Sequence, residues 1–196
     1  MKAAQPQRNY VIIVSGLPRS GTSMMMKALH AGGIEPMIDH IRKADEDNPK
    51  GYYEFEPVKK TKEDPSWLAD AGGKAVKMVY RLLYALPPDY EYRVIFMRRD
   101  LLEVLASQNK MLERKGKSGG AISDEQMAAL FETELGRCET WLAEQQHFKT
   151  LYIGYRDMIC DSLTQAKKIN DFLDGGMDTE AMAAAVDPSL YRNRNE

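Results

Sequence analysis

The chain has 196 residues, 43% apolar and 29% charged, which are the proportions of a globular protein long enough to bury a real core. A net charge of −2 gives no global field for nucleic acid or a membrane surface. No run approaches a membrane span, and the first apolar run, Val11 to Val14, is too short for a signal peptide.

Along the chain, four short segments have the near-continuous apolar character of buried parallel strands: Tyr10–Val14, Ala75–Val79, Arg93–Met97 and Thr150–Ile153. Ala75–Val79 is the weakest, with Lys77 in its middle. Helical spacing fills the intervals. Gly21–Ala31 carries Met24, Met25, Ala28 and Leu29 on one side. Leu101–Leu112 repeats Leu101, Val104, Leu105 and Leu112. A helix from Ser123 to about Gln146 opens with a capping box, because Ser123 can cap it and Gln126 can reach back. Asp161–Leu173 places Leu163, Ala166, Ile169, Phe172 and Leu173 at helical spacing and stops at Gly175-Gly176.

Alternating strands and helices predict one α/β domain over residues 1–196. The expected architecture is P-loop-like, a three-layer α/β/α arrangement with a central parallel sheet of four or five strands. Two long insertions interrupt it, at about 35–73 and 113–121, and loops of that length are usually functional or mobile. Cys138 and Cys160 lack metal or redox spacing, which suits reduced cysteines in a cytosolic, cytoplasmic protein. His30, His40 and His147 do not cluster, so no metal is expected.

The first strand runs into Gly16-Leu-Pro18-Arg19-Ser20-Gly21-Thr22-Ser23. Its glycine spacing is that of a phosphate loop, yet Thr22 stands where a kinase lysine would reach the terminal phosphates of ATP. A turn from strand to helix still aims backbone N–H groups and the helix dipole at one spot. Arg19, Thr22 and Ser23 add side-chain donors. The third strand ends in Arg98-Arg99, and Ser107 follows Arg99 by eight residues, about two helical turns. Strand ends in open α/β sheets face the ligand crevice, so both arginines are expected there. A doubly basic tip suits a ligand with an extra phosphate and calls for no Mg²⁺.

These stretches resemble the sulfotransferase superfamily, which uses 3′-phosphoadenosine 5′-phosphosulfate (PAPS) and releases PAP. The loop at Pro18–Thr22 is similar to the family's 5′-phosphosulfate loop in its arginine form, as in tyrosylprotein sulfotransferases and several bacterial members. Arg99 and Ser107 resemble the pair that holds the 3′-phosphate. Leu151–Met158 resembles the Tyr-Glu-Asp-Met segment, which puts Tyr155 beside the adenine, although Arg156 replaces the glutamate. Asn48-Pro-Lys-Gly-Tyr-Tyr-Glu54 resembles a segment of many bacterial relatives. The resemblance implies that Pro18, Arg19, Ser20, Gly21, Thr22, Ser23, Arg99, Ser107 and Tyr155 bind the nucleotide. It also implies catalytic roles for Arg19 and Lys77. Val79 stands where small-molecule enzymes of the family carry their basic histidine, so the base must lie elsewhere. Relatives with the arginine loop use a carboxylate about twenty residues on, which points to Asp39, with His40 beside it and Glu54 and Glu56 as further candidates.

The expected reaction moves a sulfuryl group from PAPS to a hydroxyl or amine of a small molecule, glycan or lipid, with no nucleic-acid partner. A P-loop kinase needing ATP and Mg²⁺ is the rival enzyme. A non-catalytic PAP- or PAPS-binding protein is the rival of a different class. Gly51-Tyr-Tyr-Glu-Phe55 offers aromatics for an acceptor pocket or for packing beneath the insertion.

Overall fold

The computed structural model describes residues 6, 8–39, 41, 51–114, 116 and 122–190. His40, residues 48–50, and 115 and 117–121 of the basic loop lie outside the described residues. The strands are β1 (Val11–Gly16), β2 (Ala75–Lys77), β3 (Tyr92–Arg98) and β4 (Phe148–Gly154). The helices are α1 (Thr22–Ala31), α2 (Leu101–Arg114), α3 (Asp124–Glu144), α4 (Tyr155–Cys160), α5 (Ser162–Phe172) and α6 (Thr179–Ala184).

All three strand pairings are parallel, in the order β2-β1-β3-β4. The expected α/β fold with a parallel sheet of four strands is therefore present. Alternate residues of each strand enter opposite layers, as the period of two requires. Ile12 and Val14 of β1, with Ile95 and Met97 of β3, pack against Met25, Met26 and Leu29 of α1, Ile169 of α5 and Met182 of α6. Val11, Ile13, Val94 and Phe96 face the other way, onto Val104 of α2 and Cys138 and Leu142 of α3. Each of these large side chains contributes about 1.5–3 kcal/mol by leaving water.

Three expectations change in detail. β2 stops at Lys77: Met78 N–H still reaches Val14 O at 3.1 Å, but extended Val79 then starts a 3₁₀ turn over Tyr80–Ala85. The described residues of the insertion at 35–73 include local structure that was not expected: 3₁₀ turns at Glu56–Lys60 and Ser66–Asp70, which bury Val58, Trp67 and Leu68 in the α3-side layer. Helix α6 was not expected. It has only six residues and is started by Asp178, whose carboxylate accepts from Ala181 N–H at 2.9 Å.

The strand order creates a gap at one end of the sheet. From β1 the chain moves outward through α1 to β2, then crosses back to β3 on the far side of β1. From β3 it moves outward again to β4. Connections leaving β1 and β3 therefore diverge, and the gap beyond their carboxyl ends is a topological switch point. Gly16 pairs with Met97, and Arg98 with Gly154, so the Gly16 loop, Arg98-Arg99 and Tyr155 emerge at one end of the sheet.

Candidate functional site

The loop after β1 is drawn tightly onto its neighbours. At Gly16 (φ 141°) a Cβ would lie 2.7 Å from both Met97 O and Ser20 Oγ. At Gly21 (φ 103°) it would meet Tyr155 Cδ2 at 2.5 Å, so only glycine fits. Ser20 is buried and closes the turn, donating to Leu17 O from its N–H at 3.1 Å and from its Oγ at 2.7 Å. Pro18 turns its carbonyl toward Gln108 Nε2 at 3.5 Å. Arg19 sits at φ 73°, a left-handed conformation that costs a non-glycine residue about 1 kcal/mol or more. Gly21 opens α1 without a side-chain cap, and the first turn holds no acid against the positive end of the helix dipole.

Arg99 and the residues around it form one connected cluster. Arg99 Nη1 donates to Arg19 O at 3.1 Å, and its Nε donates to Glu103 Oε2 at 3.0 Å. The Arg99 and Glu103 side chains are only 8% and 6% exposed. Arg99 Cζ stands 4.3 Å from the centre of the Tyr155 ring, within cation–π range. Arg19 Nε donates to buried Ser107 Oγ at 2.9 Å. Burial is the main influence that raises the Tyr155 hydroxyl above its ordinary pKa; Arg99 and Arg19 oppose it and Glu103 adds to it, so the phenol is neutral at ordinary pH. Beside this cluster lies a cleft of about 300 Å³ lined by Arg98, Arg99, Asp100, Glu103, Gly154, Tyr155 and Arg156. Arg156, in place of the expected glutamate, adds a third arginine to its rim.

Arg98 also lines this cleft. Its guanidinium turns toward α3, making two bonds to Glu139 at 3.0 and 2.5 Å and lying 4.0 Å from the Tyr152 ring centre. Of the two arginines, Arg99 is the one that bonds to the loop.

On the other side of the loop stands Lys77, at the end of β2. Its Nζ donates to Tyr52 O and to Ser23 Oγ (3.4 Å), and lies 3.8 Å from Glu54 Oε1. Ser23 Oγ also donates to Tyr52 O at 3.2 Å. The segment that begins at Gly51 is thereby fastened to the first turn of α1. Its aromatics are engaged in packing: Tyr53 meets His30 edge-on at 6.3 Å, and Phe55 meets Trp67 edge-on at 6.1 Å.

Asp39 is held differently. Its Oδ1 accepts from Ile41 N–H at 3.0 Å and its Oδ2 from Glu56 N–H at 2.6 Å. Burial raises this carboxyl, but the N–H groups of Glu56, Ile41 and Asp39 itself, with the Lys59 charge, outweigh it and bring the pKa below the usual value. A carboxylate so engaged is a weak base and a good brace for the 51–56 segment. Glu56 is paired with Lys59 on the surface at 2.5 Å. Two groups were missed from the sequence as parts of the site. Nothing in the sequence marks Glu103 as enclosed beside Arg99, and the Tyr52 carbonyl carries no side-chain signal at all.

No family model matches the chain, and no curated protein matches it in sequence. Solved structures do match. The sulfotransferase domain from the curacin biosynthetic pathway aligns with a TM-score of 0.55 at 15% identity, over 94% of this chain and 90% of that one. The sulfotransferase domain from the Synechococcus PCC 7002 olefin synthase aligns with a TM-score of 0.55 at 14% identity, over 100% of this chain and 92% of that one. Likeness at this identity speaks to the fold, which is sulfotransferase-like.

Proposed function

We propose that this chain is a PAPS-dependent sulfotransferase acting on a hydroxyl-bearing acceptor. The observation that carries the reading is the convergence at the switch point of the Gly16–Ser23 loop with Arg99, Ser107 and Tyr155, joined by the bonds from Arg19 to Ser107 and from Arg99 to Arg19 O. One anion fits against the backbone N–H groups of the loop and the start of α1. A second fits at Arg99 and Ser107, beside Tyr155.

In-line transfer makes a bond from the acceptor oxygen to sulfur as the bond from sulfur to the phosphate oxygen breaks. The electron pair stays on the phosphate oxygen. In this reading Arg19, the loop N–H groups, Thr22 and Lys77 neutralise it, and such preorganised donors are usually the largest catalytic contribution.

Calorimetric titration with PAP, run beside ATP with Mg²⁺, tests the reading. Micromolar PAP binding, at least tenfold tighter than ATP·Mg²⁺, is expected. ATP·Mg²⁺ binding as tight as PAP would move the chain to the kinases. PAP binding without PAP release from PAPS, with any acceptor, would make it a binding protein only.

A further inference from the structure

We propose that Arg156 is a specificity-determining residue of this chain, meeting the nucleotide's 3′-phosphate from the rim of the cleft beside Tyr155; this rests on the sulfotransferase reading. Strand register puts it there. Arg98 pairs with Gly154 across β3 and β4, so Arg99-Asp100 and Tyr155-Arg156 leave the sheet side by side. Arg99 Cζ lies 4.3 Å from the centre of the Tyr155 ring, and Arg99, Tyr155 and Arg156 line the same cleft of about 300 Å³. The loop and the start of α1 serve the 5′ anion, so the anion that Arg156 shares with Arg99 is the 3′-phosphate.

Charge decides what the cleft can hold. Its lining carries three arginines, Arg98, Arg99 and Arg156, and two acids, Asp100 and Glu103. Two of the arginines already have counter-charges, Arg98 from Glu139 and Arg99 from Glu103. Asp100 accepts the Glu103 N–H at 3.0 Å, which keeps its carboxylate at the start of α2. Arg156 is exposed, and no ion pair or hydrogen bond to another described residue engages it. In the first turn of α4 it gains nothing from the helix dipole, which favours acids there. The fold therefore has little use for this cation, whereas the cleft does. Arg156 tips the lining to net positive; with a glutamate at 156 the acids would outnumber the arginines. A phosphate arriving beside Arg99 brings up to two negative charges into the neighbourhood of Glu103 and Asp100. Arg156 offsets them, and its planar fork suits two parallel bonds to phosphate oxygens.

Binding of PAP and of 5′-AMP, which lacks the 3′-phosphate, to wild type, R156Q, R156K and R156E tests this. PAP is titrated by calorimetry, 5′-AMP by displacement of PAP at up to millimolar concentration, and denaturant midpoints check folding. R156Q is expected to weaken PAP about tenfold and R156E about 100-fold, the range for a lost or reversed charge-assisted bond. R156K, which keeps the charge without the fork, is expected to recover part of the R156Q loss. The affinity of every variant for 5′-AMP is expected to stay within about threefold of wild type, because the group that Arg156 reads is missing from it. PAP affinity unchanged in R156Q and R156E, or equal losses for PAP and 5′-AMP, overturns the assignment of Arg156 and leaves the sulfotransferase reading standing. A wild type that binds PAP no more tightly than 5′-AMP overturns both.

Discussion

Arg99 is already surrounded before any ligand arrives: Glu103 at 3.0 Å, Arg19 O at 3.1 Å and the Tyr155 ring at 4.3 Å. A buried pair of this kind is weak evidence for net stability, but removing one partner strands the other charge, at a cost of about 3–5 kcal/mol. The two partners are expected to separate when tested. Arg99→Ala lowers stability and weakens PAP binding about 10–100-fold, the scale of lost charge-assisted hydrogen bonds. Glu103→Gln lowers stability too, yet keeps PAP affinity within threefold, because the ligand's phosphate supplies the missing counter-charge. Denaturant midpoints and PAP titrations of both variants check this, and equal losses of PAP affinity would show that Glu103 orients Arg99 for the ligand. At this scale the sequence was informative wherever chemistry shows in a letter. The tight turns at Gly16 and Gly21 were legible from spacing; the bond that Ser107 makes was not, since its partner is Arg19, far away in the sequence. The burial of Glu103 was not, since an acid four residues after an arginine looks the same exposed or enclosed. Nor was the Tyr52 carbonyl, because every residue has one.

Among the elements, α3 was the most legible. The expected capping box is formed in both directions: Gln126 N–H donates to Ser123 Oγ at 3.3 Å, and Ser123 N–H to Gln126 Oε1 at 3.1 Å. Ser123→Ala is expected to cost about 1 kcal/mol in denaturant unfolding and to leave PAP affinity unchanged, since the capping box satisfies only the backbone of α3 itself. A change in PAP affinity would instead tie the start of α3 to the site. β2 and α6 were harder to read for one shared reason. A strand of three residues and a helix of six are too short for a period to establish itself, and tertiary contacts decide them. The cap at Asp178 was the one local signal for α6.

For the whole molecule, the α/β class followed from alternation, but the order β2-β1-β3-β4 did not. Apolar runs say that strands are buried on both faces; they do not say which lie side by side. That order is what makes the gap beyond β1 and β3 a topological switch point, and no local pattern in the sequence records it.

The same order has a bearing on how the chain comes into being. Val11–Gly16 is made first, yet its two neighbours, Ala75–Lys77 and Tyr92–Arg98, follow much later along the chain. At a ribosomal pace of about 5–20 residues per second, the Val-Ile-Ile-Val stretch waits several seconds with both edges unpaired. Such an apolar, β-prone window adheres readily to copies of itself. Refolding from denaturant is accordingly expected in milliseconds to seconds, with yields that fall as protein concentration rises. Light scattering during refolding at several concentrations checks this, and a yield independent of concentration would mean that the first strand finds shelter earlier than its partners in the sheet can give it.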